Sequence, residues 1–178
     1  MYRATQGGVT HNVTPWNVVT EQPGQDIFDQ ALRLLEKGGL VIEALPGCGK
    51  STLALRLAAE LEDRGHKVMK LAPTHVAARR LGGNTLQYFL QRFVRHGSIT
   101  NTWIILDEVG QIAPCLWSEL CWAMLQPGMR WILMGDREQY EPINKIWRGS
   151  EVQATIWDSS LLHEMACGNM VRLTVSRR

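Results

Sequence analysis

Two glycines, a lysine and two hydroxyl residues stand together in Glu-Ala-Leu-Pro-Gly-Cys-Gly-Lys-Ser-Thr, residues 43–52. Gly47 and Gly49 let a backbone wrap closely around phosphate oxygens, with Pro46, Cys48 and Thr52 completing the loop. A helix starting near Lys50 would add free N–H groups and the positive end of its dipole. In such a cradle Lys50 reaches the β- and γ-phosphates of a nucleotide, and the Ser51 hydroxyl ligates magnesium. The stretch departs from G-x-x-x-x-G-K-[ST] only at Ala44, at a strand end where a small residue suffices. An apolar run before it and an amphipathic run after it weigh against a plain strand–turn–helix corner. Downstream, Trp103-Ile-Ile-Leu-Asp-Glu108 sets two carboxylates behind four apolar residues. Asp107 there would hold the magnesium, usually through water, and Glu108 would orient and deprotonate an attacking water. The chemistry expected of the two stretches together is magnesium-dependent hydrolysis of a nucleotide's terminal phosphate.

Such groups need strands to carry them. Five short apolar runs fit: Leu40–Ala44, Val68–Ala72, Trp103–Leu106, Trp131–Met134 and Val171–Val175. Each is about strand length and mostly apolar on both faces, as buried parallel strands are. Helical patterns lie between several of them. Ile27, Ala31, Leu34 and Leu35 share a face over residues 26–37, with Gly38-Gly39 as the stop. Leu53, Leu57 and Leu61 recur every fourth residue before Gly65, and further helical patterns fall in residues 75–95 and 116–125. Alternating strands and helices predict an α/β fold, a parallel sheet covered by helices on both faces. Lys50, Thr74, Asp107, Asp136 and Arg177 each fall at or just after the C-terminal end of one strand. In an open parallel sheet that edge binds ligands. Residues 1–20, rich in Thr, Gly and Asn without periodicity, predict a tail or irregular lead-in, leaving 21–178 as the domain.

The chain has 178 residues, 45% of them hydrophobic and 20% charged, which fits one soluble globular domain. Its apolar runs are far too short for a membrane span, and its first residues lack the apolar core of a secretion signal. A net charge of +2 does not by itself announce a nucleic-acid binder. The four cysteines form no C-x-x-C pair and the five histidines no ligand spacing, so neither a zinc site nor a disulfide framework is expected, and the compartment is read as intracellular. Cys48 stands where a helix N-terminus and Lys50 could activate a thiol, but a small tolerated loop residue is the plainer reading. Of the aromatic residues, Tyr140 and Trp147 lie near enough to the motifs to be weighed as base-stacking groups.

Three further stretches, Leu71-Ala-Pro-Thr-His-Val-Ala-Ala-Arg-Arg-Leu81, Gly82-Gly-Asn-Thr-Leu-Gln-Tyr-Phe-Leu90 and Ile132-Leu-Met-Gly-Asp-Arg-Glu-Gln-Tyr-Glu-Pro-Ile143, resemble motifs of the superfamily 1 helicases. With the phosphate loop and Asp107-Glu108, their order and spacing are similar to the first RecA-like, P-loop NTPase domain of those enzymes, notably the RecD-like branch and the helicases of large DNA viruses. The resemblance runs from about Thr20 to the last residue. It implies that Gln25 contacts the adenine base, and that Thr74, His75 and Thr85 touch the backbone of a single strand. It implies that Gln139 senses the γ-phosphate, and that Arg177 or Arg178 approaches it from the last strand, stabilising charge that develops in phosphoryl transfer.

Departures fall on the nucleic-acid side. Tyr140-Glu141 precede Pro142 where the family often has a leucine and then a proline, and Thr-Leu-Gln replaces a more usual Thr-Ile-His. The Pro-Gly-Cys-Gly-Lys-Ser-Thr loop is also common in superfamily 1 helicases of positive-strand RNA viruses, which keeps RNA open as a substrate, although the resemblance as a whole implies an ATP-dependent motor on single-stranded DNA before RNA. A small-molecule kinase would need an arginine-rich lid, which the chain lacks, and a nucleotide-holding module without turnover would not need Glu108 and Gln139. Every motif belongs to the first domain. The resemblance therefore implies a second RecA-like domain that these residues do not supply, and no membrane partner.

Overall fold

The computed structural model describes residues 3–6, 9–12, 15–139, 146–147, 150–151 and 155–177. β1 (Arg3–Gln6) and β2 (Val9–Asn12) pair as an antiparallel hairpin. β3 (Asn17–Thr20) leads to α1 (Phe28–Leu35), β4 (Leu40–Ala44) and α2 (Lys50–Asp63). β5 (Lys67–Ala72), α3 (His75–Leu81), β6 (Asn84–Thr85) and α4 (Leu86–Phe89) follow, and α4 runs into a π-helical turn at Leu90–Val94. Then come β7 (Thr102–Leu106), a 3-10 turn (Val109–Gln111), α5 (Pro114–Met124) and β8 (Arg130–Gly135). Two-residue strands β9 (Ile146–Trp147) and β10 (Ser150–Glu151) pair antiparallel, before a 3-10 turn at Ile156–Asp158, α6 (Ser160–Met165) and β11 (Asn169–Leu173).

Seven strands make one parallel sheet in the order β3-β11-β4-β8-β7-β5-β6. Alternate residues of its central strands face opposite ways and both faces are covered, which explains why the runs are mostly apolar, with Glu43, Lys70 and Arg172 as interruptions. Leu40, Ile42, Trp103, Ile105, Ile132, Met134, Val171 and Leu173 pack with α1 and α2 on one face. Val41, Ile104, Leu106, Trp131, Leu133 and Met170 pack with α4, α5 and α6 on the other. The α/β fold expected from sequence is present. Among the described residues, no helix is long and apolar enough to cross a membrane.

The sheet is wider than the five apolar runs suggest. Asn17–Thr20, read as lead-in, is an edge strand in register with Asn169–Arg172. The last strand, Asn169–Leu173, lies two residues upstream of the expected 171–175. Asn169 pairs with Asn17 and its side chain bonds the carbonyls of Leu34 (3.4 Å) and Gly39 (3.1 Å), while the N–H groups of Thr174 and Val175 go to the Glu21 side chain. The helical stretch at 75–95 is broken in two: Gly82 caps α3 in the left-handed region (φ 70°), and β6 joins β5 before α4 begins.

Candidate functional site

The chain leaves β4 through a turn whose two glycines, Gly47 (φ 85°) and Gly49 (φ 89°), are left-handed. α2 therefore starts at Lys50 with neither a side-chain cap nor an acidic residue in its first turn, and its positive end faces the loop without a neutralising group. Lys50 folds back over that loop, its Nζ donating to the carbonyls of Ala44 (2.7 Å) and Leu45 (3.4 Å). Ser51 is half-buried, while Pro46 and Thr52 are exposed. Cys48 is buried and packs in the core beside α2.

β7 lies two strands from β4 and ends at Leu106, immediately before Asp107. The Asp107 N–H donates to Leu71 O (2.9 Å), and its Oδ1 accepts the N–H of Glu108 (2.9 Å). Burial pushes the Asp107 carboxyl above the usual carboxylate range, opposed by the Glu108 N–H and the charges of Lys50 and Arg80. Glu108 is also raised, by burial first and then by the neighbouring Asp107, with Arg80 and Lys50 opposing. Its backbone is left-handed (φ 51°, ψ 43°), a conformation costing a non-glycine residue about 1 kcal/mol or more. That kink starts the 3-10 turn and keeps the second carboxylate at the strand edge.

β8 delivers Asp136, buried, whose Oδ1 accepts the Glu138 N–H (2.9 Å) and so folds the turn that presents Gln139. Gln139 Oε1 accepts from Gln111 Nε2 (3.3 Å), joining this turn to the one that follows Glu108. Trp157 packs beneath both turns. A Cβ at Gly135 would stand 2.7 Å from its Cζ2, and one at Gly110 would stand 3.1 Å from its Nε1. Tyr140, Glu141, Pro142, the Trp147 side chain and Arg178 lie outside the described residues.

Past β11 the Arg177 N–H donates to Gly47 O (3.0 Å), and its guanidinium donates to Cys48 O and to Glu21. The arginine thus reaches the phosphate loop. Glu21, which the sequence reading passed over, lies in the same cluster.

Thr74 and Thr85 stand at the same edge as N-caps of α3 and α4, accepting the N–H groups of Ala77 (3.2 Å) and Tyr88 (3.3 Å). Their hydroxyls therefore hold helices in addition to any ligand contact. His75, first in α3, is exposed. Gln25 is exposed in the turn before α1, its N–H donating to Gln22 O (3.1 Å). The next residue, Asp26, is tied to Arg56 of α2 by bonds of 3.0 and 2.8 Å, and that pairing lowers its pKa.

The donor set suits magnesium. Ser51 offers a hydroxyl and Asp107 a carboxylate, both hard oxygen ligands, and no metal-binding group of three or more His, Cys, Asp or Glu occurs among the described residues. Magnesium held by one or two protein oxygens, with phosphates and water completing its shell, needs no larger cage.

A family model described as an AAA domain matches residues 22–163. The ATP-dependent RecD2 DNA helicase of Deinococcus radiodurans is 36% identical over 118 residues, 59% of this chain and 16% of the relative. The Pif1 helicase of Candida albicans superposes with a TM-score of 0.66 at 20% identity, covering 85% of this chain and 40% of that one. A Bacteroides Pif1 helicase in complex with ADP-AlF3 and single-stranded DNA gives 0.59 at 19% identity, covering 88% and 43%. The chain therefore spans less than half the length of each of these relatives.

Proposed function

From the premise that this chain belongs to the AAA domain family and has the RecA-like fold of superfamily 1 helicases, we propose that it is an ATP-dependent motor domain acting on single-stranded DNA. One observation carries the reading: Lys50, Asp107, Glu108, Gln139 and Arg177, from four strands far apart in sequence, meet along one edge of the sheet.

On this reading the loop from Pro46 to Gly49 and the start of α2 bind the phosphates, and Lys50 exchanges its carbonyl partners for phosphate oxygens. Ser51 and Asp107 hold the magnesium, whose charge offsets that of the phosphates when it is bound. Glu108 takes a proton from water, and its raised pKa brings its basicity closer to working pH. Gln139, tied to Gln111, registers the terminal phosphate, and Arg177 adds positive charge from the last strand. Gln25 contacts the base. Thr74, His75 and Thr85 meet the strand, with DNA favoured over RNA because the relatives above are named as a DNA helicase and as a helicase holding single-stranded DNA. A second RecA-like domain would close the other side of the nucleotide and exclude water from it.

ATP turnover by residues 1–178, measured with and without single-stranded DNA, tests the proposal. Strand-stimulated hydrolysis supports it. Turnover indifferent to DNA but dependent on a small acceptor would indicate a kinase instead.

A further inference from the structure

The carboxylate of Glu21 is buried, its side chain only 2% exposed, yet the proposed reaction gives it no task. It sits where β3 and β11 part. The ladder's last partners are Thr20 and Arg172, and the Glu21 N–H then donates to Arg172 O (2.9 Å). Beyond that point the side chain takes over. Oε2 accepts the N–H groups of Thr174 (3.3 Å) and Val175 (3.2 Å), and Thr174 Oγ1 donates back to Glu21 O (3.0 Å). These bonds turn the chain off the sheet and toward the phosphate loop. There Arg177 donates its N–H to Gly47 O, one guanidinium nitrogen to Cys48 O and the other to Glu21 Oε1. The guanidinium also lies against Gly49, where an added Cβ would stand 3.0 Å from Nη1. Nearly half of the Arg177 side chain stays open to solvent.

We infer that Glu21 is a positioning residue that fixes the Arg177 guanidinium at the mouth of the phosphate loop, so that a triphosphate is held more tightly than a diphosphate. The inference rests on the nucleotide reading of that loop. A buried carboxylate left without its cation is strongly unfavourable, so the pair keeps the arginine at the loop before any ligand arrives. Cys48 and Gly49 immediately precede Lys50, which reaches the β- and γ-phosphates, so a cation fixed there adds to the charge facing the terminal phosphate. A preorganised guanidinium need not be ordered again on binding.

Binding of ATPγS and of ADP, each with magnesium, is measured for the parent chain, Glu21→Gln, Arg177→Gln and the double variant. Arg177→Gln should weaken ATPγS about 5-fold, the scale of one half-exposed charged contact, while ADP changes less than about 2-fold. Glu21→Gln should reproduce that selective loss, and the double variant should lose no more than Arg177→Gln alone, because both act through one group. A merely structural role would weaken both nucleotides alike or add its loss to that of Arg177→Gln, and either result overturns the inference. If Glu21→Gln does not fold, Glu21→Asp carries the same expectation, since it keeps the charge but withdraws from Arg177. An unchanged ATPγS-to-ADP ratio in Arg177→Gln overturns it whatever Glu21 does. Failure of the nucleotide reading looks different: Lys50→Ala would then bind ATPγS as the parent does.

Discussion

Glu108→Gln separates chemistry from binding and tests the strain of the site at the same time. Gln keeps the shape and the left-handed backbone but cannot accept a proton at working pH. Hydrolysis should fall by roughly 10²–10⁴-fold, the usual contribution of a general base, with ATP binding retained. Stability should move the other way. Burial and the charge of Asp107 raise the folded pKa of Glu108, so the ionised form is disfavoured in the fold, and stability drops as pH rises through that raised value. Removing the charge should therefore raise Tm at neutral pH. The group is only half-buried, so solvent screening keeps that rise small. Lowering the pH of the parent should recover part of the same gain, and Glu108→Gln should flatten that dependence, leaving the share due to Asp107. Thermal melts between pH 5 and 8, paired with turnover, measure both effects. Hydrolysis within about twofold of the parent removes Glu108 as the base. An unchanged Tm and pH profile would refute the burial argument.

Thr74→Asp keeps an N-cap acceptor and so should leave Tm nearly unchanged, while its charge should weaken single-strand binding; Thr74→Ala should cost about 1 kcal/mol by losing the cap. Fluorescence titration set against thermal melts tells the two apart. Gly135→Ala would push a methyl to 2.7 Å from Trp157 and 3.0 Å from Val109, and should destabilise by about 1–3 kcal/mol and slow turnover by shifting the turn after Glu108; a neutral melt would show that Trp157 is free to move. With a net charge of only +2, the plot of log affinity for single-stranded DNA against log salt should be shallow, a slope of about one to three, and no binding at low salt with an ATP analogue present would remove the strand partner. Residues 1–178 alone should not unwind a duplex if, as proposed, a second RecA-like domain must close over the nucleotide; ATP-dependent strand displacement by these residues alone would overturn that proposal.

The central sheet is legible because strands covered on both faces are apolar at most positions, and such runs stand out without knowledge of their partners. The phosphate loop is legible for a similar local reason: glycine spacing and the lysine that follows sit within ten residues. What escaped depends on distant partners. β3 has mostly exposed side chains and β6 has two residues, so neither carries an apolar pattern. Glu21 looks like any polar residue before a helix, and its buried environment is built by Thr174, Val175 and Arg177, more than 150 positions away. The hydrogen bond from Gln111 to Gln139 spans 28 positions and has no signature in either motif. Trp157 explains why residues 110 and 135 are glycine, but only after the turns are seen packed upon it.

The union of β3 with β11, and of Glu21 with Arg177, gives the chain a particular history during synthesis. Glu21 leaves the ribosome 156 residues ahead of its partner, which at cellular elongation rates is a wait of roughly ten to thirty seconds. Until residues 130–135 emerge β4 has neither neighbour, and from then until β11 is made it has β8 on one side and nothing on the other, an open edge carrying the phosphate loop. The nascent sheet cannot be sealed, nor the loop braced, until residues 169–177 emerge and close a long, entropically slow contact. Competence to hold nucleotide should therefore arrive late and all at once, and a nascent chain arrested before residue 169 should be a client for chaperones even though the phosphate loop itself has long been made.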